Sequence, residues 1–242
     1  MAARIAFAGV DFDPVDMDGA LRWLRARSAQ DAFAWVVTPN VDHCVRLAGT
    51  SQASALRSAY ARAGLCLCDS RVLALLARRR GIRLPVTPGS DLTAQLLAGI
   101  EPGQRILLVG GDEAARAALA RLAPQARIGL HSPPMSLLDQ PAAMAACIEA
   151  VLAAQADYTL LAVGSPQQEL LAHALALRPE ARGTALCIGA AVEFVTGRKR
   201  RAPRWMRRLA LEWLHRLLAE PRRLARRYLL DGPRILRIAM KG

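Results

Sequence analysis

Asp69 ends the apolar run in "LCLCDSRVL", and Ser70 and Arg71 open the helical pattern behind it. A carboxylate at the carboxyl end of a strand, beside a cleft, is placed to take a proton from a substrate hydroxyl. The same position also suits a helix N-cap. In "VTPNVDH", Thr38 and Asn40 put two short hydrogen-bonding side chains in a proline-stiffened turn, either to orient a ligand or to cap a helix starting near Val41. "GSPQQE" joins Gly164 and a Pro166 suited to a first helical turn with Gln167, Gln168 and Glu169, more polar groups than capping requires. "VGGDEAAR" sets Gly110 and Gly111 between a strand and a helix, where backbone N–H groups approach a phosphate or simply close a tight turn.

Other chemistries find little support. The GxGxxG spacing is absent, so no nicotinamide cofactor is expected, and no other cofactor is implied. Asp11 and Asp13 form a DxD pair, but Pro14 follows and a helix starts near Asp16, so turn and capping duty accounts for them. His43, His131, His173 and His215 lack ligand spacing, and no metal site is expected. No GxSxG elbow is present.

These residues must be carried by the elements around them. Apolar runs at 4–10, 34–38, 64–68, 105–111, 126–131, 158–164 and 184–189 alternate with Ala/Leu/Arg-rich helical segments. That rhythm predicts an α/β, Rossmann-like fold, a largely parallel sheet covered by helices on both faces. Ligands in such sheets bind where strands end, and the polar motifs above all follow strand runs.

Charge divides the chain in two. The net charge is +13; residues 198–242 hold 15 Lys+Arg against three acids, leaving 18 bases and 17 acids in residues 1–197. A near-neutral body of 1–197 therefore carries a cationic appendage of 198–242, and such asymmetry seeks a polyanion. After Pro203, the residues Trp205, Met206, Leu209, Trp213, Leu214 and Leu217 share an apolar arc of a helix that runs to Glu220-Pro221, with arginines opposite. A basic amphipathic hairpin suits an anionic membrane surface. Nucleic acid would also explain the charge, but zinc-finger, RRM and basic-zipper signatures are missing, so none is expected as a partner. A basic-tailed nucleic-acid-binding α/β protein stands as the alternative reading. Five cysteines without a CxxC pair read as small core residues in a reducing compartment, and no apolar stretch reaches the length of a membrane span. The sequence carries no signal for oligomeric state.

Taken together the motifs resemble the WecG/TagA/CpsF family of glycosyltransferases, glycosyltransferase family 26, over nearly the whole chain. "GSPQQE" is similar to that family's G-x-P-K-Q-E, and "GAAVEFVTGRKRRAPRWMRRLALEWLHRLLAEPRRLARRYL" to its G-A-x-F-D-F…R-A-P-x-W…L-E-W-x-x-R-L…E-P-x-R…R-R-Y. The resemblance implies an inverting, metal-independent transfer from a UDP-sugar to a polyprenyl-diphosphate-linked acceptor, by a peripheral protein at the cytoplasmic face of the inner membrane. It implies Asp69 as general base, Thr38, Asn40 and Gln168 in the active site, and Arg216, Arg223 and Arg226 on the substrate diphosphate. Gly89, Ser90 and Asp91 fall at the family's G-x-D, where an arginine usual just before it is missing from "VTPGSDL"; Arg71 or Arg83 would supply that charge. Gln167 stands for the usual lysine, and Glu193 for the aspartate of F-D-F.

Overall fold

The structure is a computed structural model describing residues 2–49 and 53–241, with the side chains of Ala53, Arg204, Arg223, Arg227 and Lys241 outside that description. Its strands are β1 Ile5–Phe7, β2 Val10–Phe12, β3 Ala34–Val37, β4 Leu65–Cys66, β5 Arg105–Val109, β6 Arg127–His131, β7 Tyr158–Leu161 and β8 Thr184–Cys187. Six form one parallel sheet in the order β4-β3-β8-β7-β5-β6, the α/β Rossmann-like arrangement expected from the sequence.

The first run departs from that expectation. Instead of one strand of the large sheet, residues 5–12 fold back as an antiparallel hairpin, with Phe7 opposite Val10. Ala8 and Gly9 at its tip both have positive φ, 51° and 76°, which matches a two-residue turn whose twist fits the strands. Beyond the hairpin, buried Asp13 accepts from the Cys66 N–H (2.7 Å) and pairs with Arg4 (3.1 Å), fixing the hairpin to β4. Asp13 is therefore engaged structurally.

Alternation along the central strands splits the core into two layers, since successive side chains point to opposite faces. Val37, Cys66, Val109, Leu161 and Cys187 face one layer, and Val36, Leu65, Leu108, Leu160 and Leu186 the other. All five cysteines are buried and free, filling space as small apolar groups.

The two layers decide where a cleft opens. The chain leaving β3 enters the helix Val41–Leu47, whose Cys44 and Leu47 pack in the first layer. The chain leaving the adjacent β8 enters the helix Ala191–Val195, whose Ala191 and Val192 pack in the second. Neighbouring strands thus send their exits to opposite faces, and a crevice is left between them above the carboxyl edge.

The basic segment lies across this crevice. Helices Arg204–Arg208, Glu212–Ala219 and Pro221–Ala225 lead into a π-helical stretch Arg226–Asp231 and a final helix Arg234–Lys241. Met206, Leu224, Ile235 and Ala239 are buried, the last two in the first core layer. The final helix packs on Val41–Leu47 and Arg71–Arg78, where Arg80 donates to the Ala239 carbonyl at 2.6 Å. The single helix expected from Pro203 to Ala219 is broken at Ala210, which has φ 59°. The apolar arc is divided accordingly. Met206 turns inward, Trp213 faces the crevice, and Trp205 and Leu209 remain exposed. Among the described residues no helix is long and apolar enough to cross a membrane.

Candidate active site

The crevice encloses a cavity of about 850 Å³. Its floor follows from strand register. Val37 lies beside Cys66 in the sheet, so the Asp69 N–H reaches the Pro39 carbonyl at 3.0 Å and the Thr38-Pro39-Asn40 turn stands next to Asp69. The Thr87 N–H donates to the Cys68 carbonyl at 2.8 Å, which brings Gly89 and Ser90 to the same place. Gly89 has a packing reason to be glycine, because a Cβ there would stand 2.7 Å from Thr38 Oγ1.

Asp69 is not the helix cap. Ser70 takes that duty, its hydroxyl accepting from the Leu73 N–H at 3.2 Å, and the carboxylate is left to the cavity. Burial pushes the Asp69 carboxyl from 3.8 up to about 8; Glu212 and Asp91 push the same way, while Arg201 and Arg216 oppose them. Asp69 keeps a partly exposed surface and borders the cavity.

A second wall comes from the exits of β7 and β8. Gln168 is almost fully buried although it borders the cavity, and both ends of its amide are engaged internally. Its Oε1 accepts from the Gly189 N–H (2.8 Å), and its Nε2 donates to Glu169 Oε1 (2.9 Å). Glu169 is buried behind it, its carboxyl raised by desolvation and held down in part by the Gln168 hydrogen bond. Tyr60 also donates to Glu169 Oε1, at 3.4 Å. Arg46 clasps the Gly-Ser-Pro turn by donating to the Ser165 carbonyl at 2.5 Å and pairs with Asp42 at 2.9 Å.

The roof is the basic segment. Arg201, Arg207, Glu212, Trp213, Arg216 and Tyr228 all border the cavity. Arg201 bonds to Asp91 and sits 3.7 Å from Glu212, while Arg207 lies 3.9 Å from Asp91. The Nε atoms of Arg201 and Arg207 are buried with no hydrogen-bond partner among the described residues. Arg216 stacks over Phe194, 5.6 Å from the ring centre, and Trp213 meets Tyr228 edge-on.

Of the residues singled out in the sequence, the structure gathers Thr38, Asn40, Asp69, Arg71, Gly89, Ser90, Gly164, Gln168 and Arg216 around one cavity. The others lie outside its lining. Asp91 stands behind Arg201 as its ion-pair partner, Pro166 is the N-cap of the helix Gln167–Leu175, and Glu193 pairs with Lys199 at 2.8 Å. Gly110 and Gly111 line a separate hollow of about 210 Å³ with Gln167, and the helix start beside them is capped by Asp112, itself paired with Arg198 at 2.6 Å. Arg226 is exposed and away from the cavity, and the Arg223 side chain lies outside the described residues. His43, Arg46, Arg201, Arg207, Glu212 and Trp213 were not singled out as site residues. For His43 a local signal existed, its position three residues after a capping asparagine. For Arg201 and Arg207 there was only membership of a charge run.

The chain thus has a Rossmann-like α/β fold with a crevice at its carboxyl edge, in which a partly sheltered carboxylate faces several guanidinium groups. The family model described as "Glycosyl transferase WecG/TagA/CpsF family" matches residues 5–242, and the chain belongs to this family of glycosyltransferases.

Proposed function

We propose that the protein moves a sugar from a UDP-sugar to a polyprenyl-diphosphate-linked saccharide, with inversion, in the synthesis of a cell-surface polysaccharide. The observation that carries this reading is the shared cavity in which Asp69 from the sheet edge meets Arg201, Arg207 and Arg216 from the basic segment. In the transfer, the acceptor hydroxyl attacks the anomeric carbon and its proton passes to an Asp69 carboxylate oxygen. The bond from that carbon to the diphosphate oxygen breaks, and UDP departs with the bonding pair.

Desolvation suits Asp69 to this role. A carboxylate whose conjugate acid has a pKa of about 8 is a far stronger base than an exposed one, at the cost of being about one-tenth ionised at pH 7. Arg201, Arg207 and Arg216 border the cavity, and fixed guanidinium charge of this kind stabilises a departing diphosphate. On this reading 1–197 is the catalytic body, and 198–242 both completes the pocket and rests on the bilayer. Exposed Trp205, Leu209, Leu218, Leu229 and Leu230 among arginines support peripheral attachment to an anionic, cytoplasm-facing membrane surface. The test is a panel of UDP-sugars against a polyprenyl-diphosphate-linked acceptor, with and without EDTA. Transfer that persists in EDTA with inverted product stereochemistry is expected; no transfer from any UDP-sugar refutes the reading.

A further inference from the structure

His43 has no part in the chemistry above, yet it joins two walls of the cavity. It is the third residue of the helix Val41–Leu47, and its Nδ1 accepts from the Asn40 N–H at 3.1 Å. A nitrogen that accepts carries no proton, so in the neutral ring the proton sits on Nε2. That Nε2 lies 3.9 Å from Glu169 Oε1, the oxygen that also accepts from Gln168 and Tyr60. The imidazole thus stands between a buried carboxylate on the β7 side and the turn leaving β3.

The consequence falls on Asn40. Its Oδ1 accepts from the Asp42 N–H at 3.0 Å, closing the reciprocal cap. With the two lone pairs of that oxygen taken by the backbone N–H groups of Asp42 and His43, the amide has only its Nδ2–H groups left to offer elsewhere, and Asn40 borders the cavity. The cap therefore decides that Asn40 meets a ligand as a donor. We propose that His43 is a positioning residue, which locks the Asn40 turn so that its amide N–H groups face a hydrogen-bond-accepting oxygen of the sugar donor, with Glu169 as the backstop of the imidazole. This rests on the sugar-transfer reading of the cavity.

Two variants of the full-length protein test it, by amide hydrogen exchange at Asn40 and by steady-state kinetics with the best UDP-sugar of the panel. His43→Ala removes the acceptor, whereas His43→Gln restores one, since a glutamine at this helical position reaches back to the cap N–H. His43→Ala is expected to speed exchange of the Asn40 amide by about tenfold or more. It should also lower kcat/KM by about 10- to 100-fold with a raised donor KM, as misplacement by about 1 Å does. His43→Gln should return both within about threefold of wild type, a rescue that general loosening of the fold would not show. Unchanged kcat/KM in His43→Ala overturns the proposal, as does faster exchange without a kinetic effect, or failure of His43→Gln to rescue. A wild type that transfers no sugar, while His43→Ala still speeds Asn40 exchange, refutes the sugar-transfer reading and leaves the lock standing.

Discussion

Replacing Asp69 by asparagine should make the protein more stable and less active, and both effects should follow pH. With a carboxyl pKa of about 8 in the folded protein against 3.8 in the unfolded chain, the folded state keeps a proton that the unfolded state has already released. Stability contributed by this site is therefore present below pH 4 and is lost as pH rises toward 8. Four units at 1.36 kcal/mol each would give roughly 5–6 kcal/mol as an upper bound. Solvent reaching the carboxylate from the cavity reduces this to about 1–3 kcal/mol. Asparagine is neutral throughout, so Asp69→Asn should melt level with wild type at pH 4 and about 3–10 °C higher at pH 8, at about 2–4 °C per kcal/mol for this length. In the transfer assay, wild-type kcat/KM should climb with pH as Asp69 ionises and level off by about pH 8. The variant should be flat and roughly 10²- to 10⁴-fold slower. A melting difference that ignores pH, or a variant with near-normal turnover, would refute the assignment of Asp69 as a desolvated base.

Truncation after Gly197 removes Arg201, Arg207, Glu212 and Arg216 from the cavity and should give a more soluble protein without transfer activity; full-rate transfer to a lipid-linked acceptor would show that the segment is dispensable for chemistry. Glu169→Ala strands the donors of Gln168 and Tyr60 in the core and should cost about 2–4 kcal/mol in urea unfolding, whereas Glu169→Gln, which keeps an acceptor oxygen, should cost about 1 kcal/mol. Trp205→Ser with Leu209→Ser removes two exposed apolar side chains and should weaken flotation with anionic liposomes several-fold, with the melting temperature within about 2 °C of wild type; undiminished flotation would move the membrane contact elsewhere.

Period and punctuation carried much of the architecture. Apolar runs such as 105–109 and 158–161 pair in the large sheet, and the helices between them announce parallel crossovers. Thr38, Asn40, Asp69 and the run Gln167, Gln168 and Glu169 were legible as polar residues at strand exits, the resemblance to a family gave some of them roles, and the fold brings Thr38, Asn40, Asp69 and Gln168 to one cavity. The same local reasoning failed where a competing local device was present. The Ala8-Gly9 turn folded the first run into a hairpin, and the left-handed Ala210 broke the helix after Pro203.

What the sequence determined alone was everything that depends on neighbours along the chain: the alternation of strands and helices, the caps, the turns, and the concentration of net positive charge in the last 45 residues. Only the tertiary structure decided which of those charges have a task. Arg201 and Asp91 are 110 residues apart, Arg198 and Asp112 are 86 apart, and nothing local records that they meet. Their pairing exists because the basic segment crosses the crevice, and that path is held by Ile235 and Ala239, which enter the core where the final helix packs on Val41–Leu47 and Arg71–Arg78. The basicity of Asp69 has the same origin. A carboxylate in an isolated "CDS" titrates normally, and it becomes a strong base here because a roof of packed chain removes most of its water.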